Sequence, residues 1–117
     1  MFNFEKLDAW HRAIDFADLV YARTRGFPRN EIFGLAMQMR RAAVSVSSNL
    51  AEGSSRSSRA DFARFTEIAT GSLFEVISQS VIAKRQGLLS AEDFLETYEA
   101  AEKLGRMLSG LRASLFS

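Results

Sequence analysis

A stretch of small residues at helical spacing, from Gly34 to Gly53, constrains the fold of this chain more than any other feature. It reads GLAMQMRRAAVSVSSNLAEG. One stripe of it repeats every three or four residues and consists of Leu35, Met39, Ala42, Val46 and Asn49. Small side chains on a stripe let a second helix approach closely, whereas a polar group there needs a partner. The pattern predicts a helix packed tightly against its neighbours.

Apolar periodicity and stop signals predict four helices, over residues 4–25, 30–53, 58–87 and 91–115. The predicted N-caps are Asn3, Asn30, Ser57 or Ser58, and Ser90. Pro28 and Gly87 follow predicted helix ends, and Gly71 within the third helix predicts a close helix crossing. No segment is predicted to form a strand. The expected fold is an all-α, antiparallel up-down-up-down four-helix bundle that forms one domain over residues 1–117.

The composition argues against most catalytic and metal sites. The 117-residue chain has no cysteine, and His11 is its only histidine. Disulfides, Cys/His zinc sites and a di-metal centre with two Glu-x-x-His motifs are therefore excluded, and a catalytic triad would depend wholly on His11. No apolar run is long enough to span a bilayer, and the N-terminus lacks the apolar block of a signal peptide. We expect a cytoplasmic protein that is not an enzyme and has no cofactor, metal or evident small-molecule substrate.

Positive charge is concentrated between Arg23 and Arg64. This segment holds eight arginines and no lysine against Glu31, Glu52 and Asp61, a net charge of +5 in a chain whose total is +1. The planar guanidinium group suits phosphates and carboxylates. These arginines either pair with acids of the same fold or meet an anionic partner.

Two groups of polar residues carry the candidate functions. The first is a polar network on the second helix, made of Gln38, Arg41, Asn49 and Glu52. We expect Arg41, Asn49 and Glu52 to be largely buried, with partners such as Gln79, either fixing helix register or serving a function. The second group surrounds the serine-rich loop and consists of Arg40, Arg56, Arg59 and Arg64. Beside a helix N-terminus, these arginines could hold a phosphate of RNA or DNA, or an acidic residue of a neighbouring subunit.

Most of the chain, from Phe4 to Leu89, resembles a known family. The opening FEKLDAWHRAIDFADLVY and the later segments FPRNEIFGLAMQMRRAAVSVSSNLAEGSSRSS and FARFTEIATGSLFE are similar to the four-helix-bundle proteins encoded in intervening sequences of bacterial 23S ribosomal RNA genes. The most specific positions are Gln38, Arg40-Arg41, Ser45, Asn49, Ala51-Glu52-Gly53, Arg56 and Gly71-Ser72. More distantly, the chain is similar to accessory proteins of diversity-generating retroelements.

The resemblance implies a left-handed up-down bundle that assembles as a ring of five subunits, with no settled activity. The retroelement accessory proteins are pentameric bundles thought to engage nucleic acid and a reverse transcriptase. Our leading hypothesis is a non-enzymatic homopentamer that binds RNA or DNA through its arginine-rich segment. The alternative is an oligomeric scaffold for protein partners, in which the arginines form salt bridges within the ring.

Overall fold

The computed structural model describes residues 1–116, and four long helices make up most of this span. They are α1 (Asp8–Thr24), α2 (Met37–Ser54), α3 (Arg59–Arg85) and α4 (Ala91–Ser114). The described residues contain no strand. Helix α2 packs most extensively on α3, while α1 packs on α2 and α4, and α3 packs on α4. The predicted all-α four-helix bundle is confirmed.

The two C-terminal helices begin and end within two residues of the predicted bounds, 58–87 and 91–115. Ser58 Oγ accepts a hydrogen bond from the Asp61 backbone N–H at 3.0 Å, and Ser90 Oγ accepts one from Asp93 at the same distance. Each serine thereby satisfies one of the N–H groups that the first turn of a helix leaves unpaired. After α3, Gly87 takes a φ of 75°, which its missing side chain permits.

The predicted start of the first helix, at residue 4 with a cap before it, is wrong. Asn3–Lys6 forms a short 3-10 turn, and Leu7 is extended, with φ −91° and ψ 120°, before α1 begins. The ring of Phe4 packs against Trp10, with the two centroids 4.9 Å apart. This aromatic contact holds the turn against α1 instead of in line with it.

The second helix is also shorter than predicted, because its first part is interrupted. Arg29–Glu31 forms a single helical turn after Pro28, so Asn30 lies inside that turn and does not cap a longer helix. A wide turn, Ile32–Ala36, follows, and Gly34 within it leaves helical geometry with φ −102° and ψ −111°. The chain therefore changes direction before α2 starts.

The core lies between all four helices, and most of its fully buried large side chains are aliphatic. They include Val20, Met39, Val46, Leu50, Leu73, Val76, Leu104 and Leu108. Helix α2 lies close against α3 at Gly53, where an added Cβ would lie 2.7 Å from Phe65 Cβ and 2.9 Å from Phe62 Cδ1. A Cβ on Gly71 would meet nothing within 4 Å, so the close crossing predicted there is wrong.

Hydrogen bonds define two ends of the bundle. At the loop end, where α2 leads into α3, Arg59 donates to the Leu115 carbonyl at 3.0 Å, so the last turn of α4 is there as well. At the kink end, where α1 leads through the interrupted turn into α2, Arg40 Nε donates to Thr24 Oγ1 at 2.9 Å. Within residues 1–116, no helix is long and apolar enough to cross a membrane.

Candidate nucleic-acid interface

Three of the four arginines predicted to bind phosphate lie together at the loop end; we call Arg56, Arg59 and Arg64 the arginine cluster. Arg56 follows the end of α2, and Arg59 and Arg64 lie in the first turns of α3. The Phe65 ring organises two of them, because the guanidinium carbons of Arg56 and Arg64 lie 4.7 Å and 5.1 Å from its centroid. Phe65 is itself fixed, since it is buried against Gly53.

Two carboxylates neutralise part of this charge. Arg56 Nη2 is 2.8 Å from Glu52 Oε1, and Arg64 Nη2 is 3.3 Å from Asp61 Oδ1. Both pairs are solvent-exposed and join residues three or four positions apart in the sequence. Exposed pairs of this kind contribute only about a few tenths of a kcal/mol. An incoming phosphate can therefore compete with these carboxylates for the two guanidinium groups.

Arg59 has a structural role that the sequence did not indicate. Its Nε donates to the Leu115 carbonyl at 3.0 Å and its Nη2 to the Ser114 carbonyl at 2.6 Å. These carbonyls belong to the end of α4, where main-chain acceptors lack helical partners. Two N–H donors of Arg59 therefore link the start of α3 to the end of α4.

Arg40 does not belong to the cluster, so this part of the predicted grouping is wrong. It lies near the start of α2, and its guanidinium carbon sits 4.8 Å from the centroid of the Tyr21 ring while Nε bonds to Thr24. At 1.5 Å per helical residue, roughly 20 Å of α2 separate Arg40 from Arg56. The predicted grouping did not take account of this distance along α2 between Arg40 and the loop.

The predicted buried polar network is wrong for two of its members. Arg41 and Glu52 are exposed in the single chain because they lie on the outer edge of α2, which α3 does not cover. Asn49 is half-buried, and its Nδ2 donates to the carbonyl and hydroxyl oxygens of Ser45 at 2.8 Å and 3.0 Å. The link to α3 is a 2.9 Å hydrogen bond between the hydroxyls of Ser45 and Ser72.

Gln38 and Arg41 instead line a polar groove between α2 and α3. Glu75 and Gln79 form its other wall, and its volume is about 380 Å³. Gln79 Oε1 is buried and makes no hydrogen bond to any described residue. The predicted partnership of Gln79 with the polar network is therefore absent from the described residues.

An apolar groove between α1 and α2, which we call the α1–α2 groove, was missed by the sequence analysis. Phe33 is 81% exposed at one end, and Tyr21 and Val44 also line the groove. Its volume is about 710 Å³, and Arg40 and Arg41 contribute the cationic part of its lining. The available signal was a glycine within an apolar run, directly after Ile32-Phe33, since glycine there can interrupt a helix.

Other titratable groups of the described residues make local contacts. Residues 1–116 contain no cluster of three or more metal-binding His, Cys, Asp or Glu side chains. His11 Nε2 lies 2.7 Å from the Glu5 carbonyl oxygen. At the kink end, Arg23 Nε donates to Glu96 Oε1 at 2.6 Å. This hydrogen bond, reinforced by the opposite charge, lowers the pKa of the Glu96 carboxyl and raises the pKa of Arg23.

Comparisons with known proteins give a family and a fold. A family model described as 23S rRNA-intervening sequence protein matches residues 5–110. Among solved structures, the chain is similar to a crystal structure of a protein of unknown function from the S23 ribosomal protein family of Bacteroides thetaiotaomicron. The two are 19% identical, the match covers 89% of this chain and 97% of that one, and the TM-score is 0.79. This likeness shows the fold alone. No curated protein matches the chain.

Proposed function

The chain belongs to the 23S rRNA-intervening sequence protein family, and we propose that it is a non-enzymatic, self-assembling bundle that binds nucleic acid through its arginine cluster. The observation that carries the proposal is the arrangement of Arg56 and Arg64 on one ring. Both guanidinium carbons lie about 5 Å from the centroid of Phe65. A guanidinium stacked on a ring keeps its N–H edge available, and that edge fits a phosphate.

The start of α3 supports the same conclusion. Helix N-termini carry partial positive charge and unpaired N–H groups. Ser58 occupies one of these groups, the N–H of Asp61. Phosphate binding at the loop end would therefore combine a helix terminus with two held guanidinium groups, at the cost of two weak ion pairs.

Self-assembly would strengthen this modest site. Each copy brings one arginine cluster, so a nucleic acid that touches several copies gains affinity from multivalency without any new kind of contact. Large exposed side chains on opposite sides of the bundle, Phe33 and Phe74, support self-association. A homopentamer, expected from the family resemblance, is the assembly that we propose.

A protein scaffold without affinity for nucleic acid is the second candidate. The α1–α2 groove favours it, because an apolar groove lined by two arginines suits a protein partner. Under this hypothesis, the pairing of Arg56 with Glu52 and of Arg64 with Asp61 is the whole role of those arginines.

Titration of labelled structured RNA and duplex DNA across a salt series tests the proposal. For the double variant Arg56→Gln/Arg64→Gln, we expect weaker binding and a log–log salt slope that is less steep by roughly 1.4–1.8, because each phosphate contact contributes roughly 0.7–0.9. Arg85→Gln, at an exposed position at the other end of α3, is the matched single control and should change the slope far less.

Three outcomes would contradict the proposal. A parent protein with no affinity for RNA or DNA at low salt would remove nucleic-acid binding and leave the scaffold hypothesis. A monomer mass by light scattering at micromolar concentration would remove self-assembly. Unchanged affinity of the double variant would remove the arginine cluster as the site.

A further inference from the structure

We infer that the α1–α2 groove of one copy receives the α3–α4 side of a second copy, so that every chain both offers and accepts an apolar surface. The inference rests on the proposed self-assembly and names its interface. It commits to a second copy of this chain as the occupant of the groove, because both surfaces are apolar and the unpaired Glu102 of one copy can meet the unpaired Arg41 of the other.

The accepting surface is the α1–α2 groove. Phe33, Val44 and Tyr21 are 81%, 40% and 39% exposed, which is a large apolar area for a short stretch of surface. Arg40 and Arg41 supply its positive charge. Arg41 forms no ion pair with any residue in the described part of the chain, so its charge remains available to a partner.

The offered surface is an α3–α4 ridge, which we define by Phe74, Leu95 and Tyr98. These side chains are 62%, 53% and 40% exposed. Glu102 lies on the same surface as Phe74 and Tyr98, is exposed, and forms no ion pair within residues 1–116. Arg106 lines this surface too, and no ion pair joins it to Glu102. The ridge therefore combines apolar bulk with an unpaired carboxylate, Glu102, that the guanidinium group of Arg41 in the groove can meet.

The order of packing places groove and ridge on opposite sides of the bundle. Because α2 and α4 each pack on both α1 and α3, the α1–α2 side faces away from the α3–α4 side. A contact between two different surfaces is heterologous, and it closes into a ring when the rotation between copies permits. One interface of this kind, repeated, is sufficient to build the proposed pentamer.

Mixing two variants, each with one damaged surface, tests the inference. Phe33→Asp damages the groove and Phe74→Asp damages the ridge, and we expect each variant alone to be monomeric by light scattering. An equimolar mixture should form a 1:1 dimer, because one intact groove and one intact ridge remain. Native mass spectrometry with one variant isotopically labelled identifies that dimer. Both positions are exposed, so circular dichroism should show parent-like folding.

Ile68→Asp is the matched control. Ile68 is 42% exposed and lies one helical turn before Ser72, which contacts α2, so it belongs to the α2–α3 side. This variant should assemble as the parent does. A second pair, Arg41→Glu and Glu102→Arg, tests the charge match with little apolar change. Each alone should weaken assembly at least tenfold. Their mixture should assemble again, because the unchanged ridge of the first variant meets the unchanged groove of the second, and the two reversed charges also meet as opposites.

The outcomes separate this interface from self-assembly itself. A monomeric parent would overturn both. An oligomeric parent whose Phe33→Asp and Phe74→Asp variants assemble normally, or whose mixed variants stay monomeric, would overturn this interface and leave self-assembly intact. Loss of assembly in Ile68→Asp with normal assembly of the other two would assign the contact to the α2–α3 side.

Discussion

The two ends of α2 are each marked by a glycine, and the two glycines have opposite effects. At the loop end, Gly53 lets α2 approach Phe62 and Phe65 of α3 to within ordinary side-chain contact. At the kink end, Gly34 lies where helical geometry is lost, and Phe33 beside it remains 81% exposed. Glycine thus permits tight helix packing at the loop end of α2, whereas at the kink end it interrupts the helix and leaves an apolar side chain exposed.

The largest expected effect is at the closed end. Gly53→Ala would place a Cβ 2.7 Å from Phe65 Cβ, so α2 and α3 must move apart. We expect a loss of about 1–3 kcal/mol in the free energy of unfolding, measured by urea denaturation. Gly71→Ala is the control: with open space around it in mid-helix, it should stabilise the protein by about 0.5–1 kcal/mol. Equal effects of the two would contradict the assignment of the close crossing.

Next in size is the hydrogen-bonded link beside the closed end. Asn49→Ala removes two hydrogen bonds to Ser45, and we expect a cost of about 0.5–1.5 kcal/mol in chemical denaturation. Glu52→Ala removes only an exposed pair with Arg56 and should cost less than about 0.5 kcal/mol. A larger cost for Glu52→Ala than for Asn49→Ala would restore the buried network expected from the sequence.

At the kink end, a comparable substitution should have a smaller effect. A Cβ on Gly34 would meet only Glu31 Oε1, at 2.9 Å, and that atom is the end of a flexible side chain that can rotate away. Gly34→Ala should therefore cost less than about 1 kcal/mol in urea denaturation. A cost as large as that of Gly53→Ala would show that both ends are packed equally tightly.

The smallest predicted effect is a pH dependence at the kink end. Arg23 lowers the pKa of Glu96, so this pair stabilises the folded chain at pH values above the unfolded pKa of about 4.3. That contribution is lost as the pH falls through the lowered pKa of the folded state. The stability difference between the parent and Glu96→Gln, followed by thermal unfolding, should shrink from pH 7 towards pH 3. A constant difference would contradict this linkage.

The sequence predicted the fold well because its main signals are local. Ser58 and Ser90 cap helices through residues three positions away, and Gly87 ends α3 by its own backbone geometry. The candidate site depended on tertiary relations that periodicity does not contain. The burial of Arg41 depends on how far α3 extends across the surface of α2. The separation of Arg40 from Arg56 depends on the length of α2 between them. The contact of Phe65 with two arginines could not be predicted either, because in the sequence Phe65 has the same spacing as the residues of the core.

Hydrogen exchange with and without bound RNA distinguishes the two ends of α2 as binding sites, because one experiment reports on the backbone amides of both ends. We expect RNA to slow exchange of backbone amides in residues 54–66, around the arginine cluster, and to leave exchange in residues 29–36 at the kink end unchanged. The measurement uses one protein concentration at which light scattering gives the same assembly in both samples. Slower exchange at residues 29–36 with no change at 54–66 would contradict the account and place the nucleic acid at the kink end.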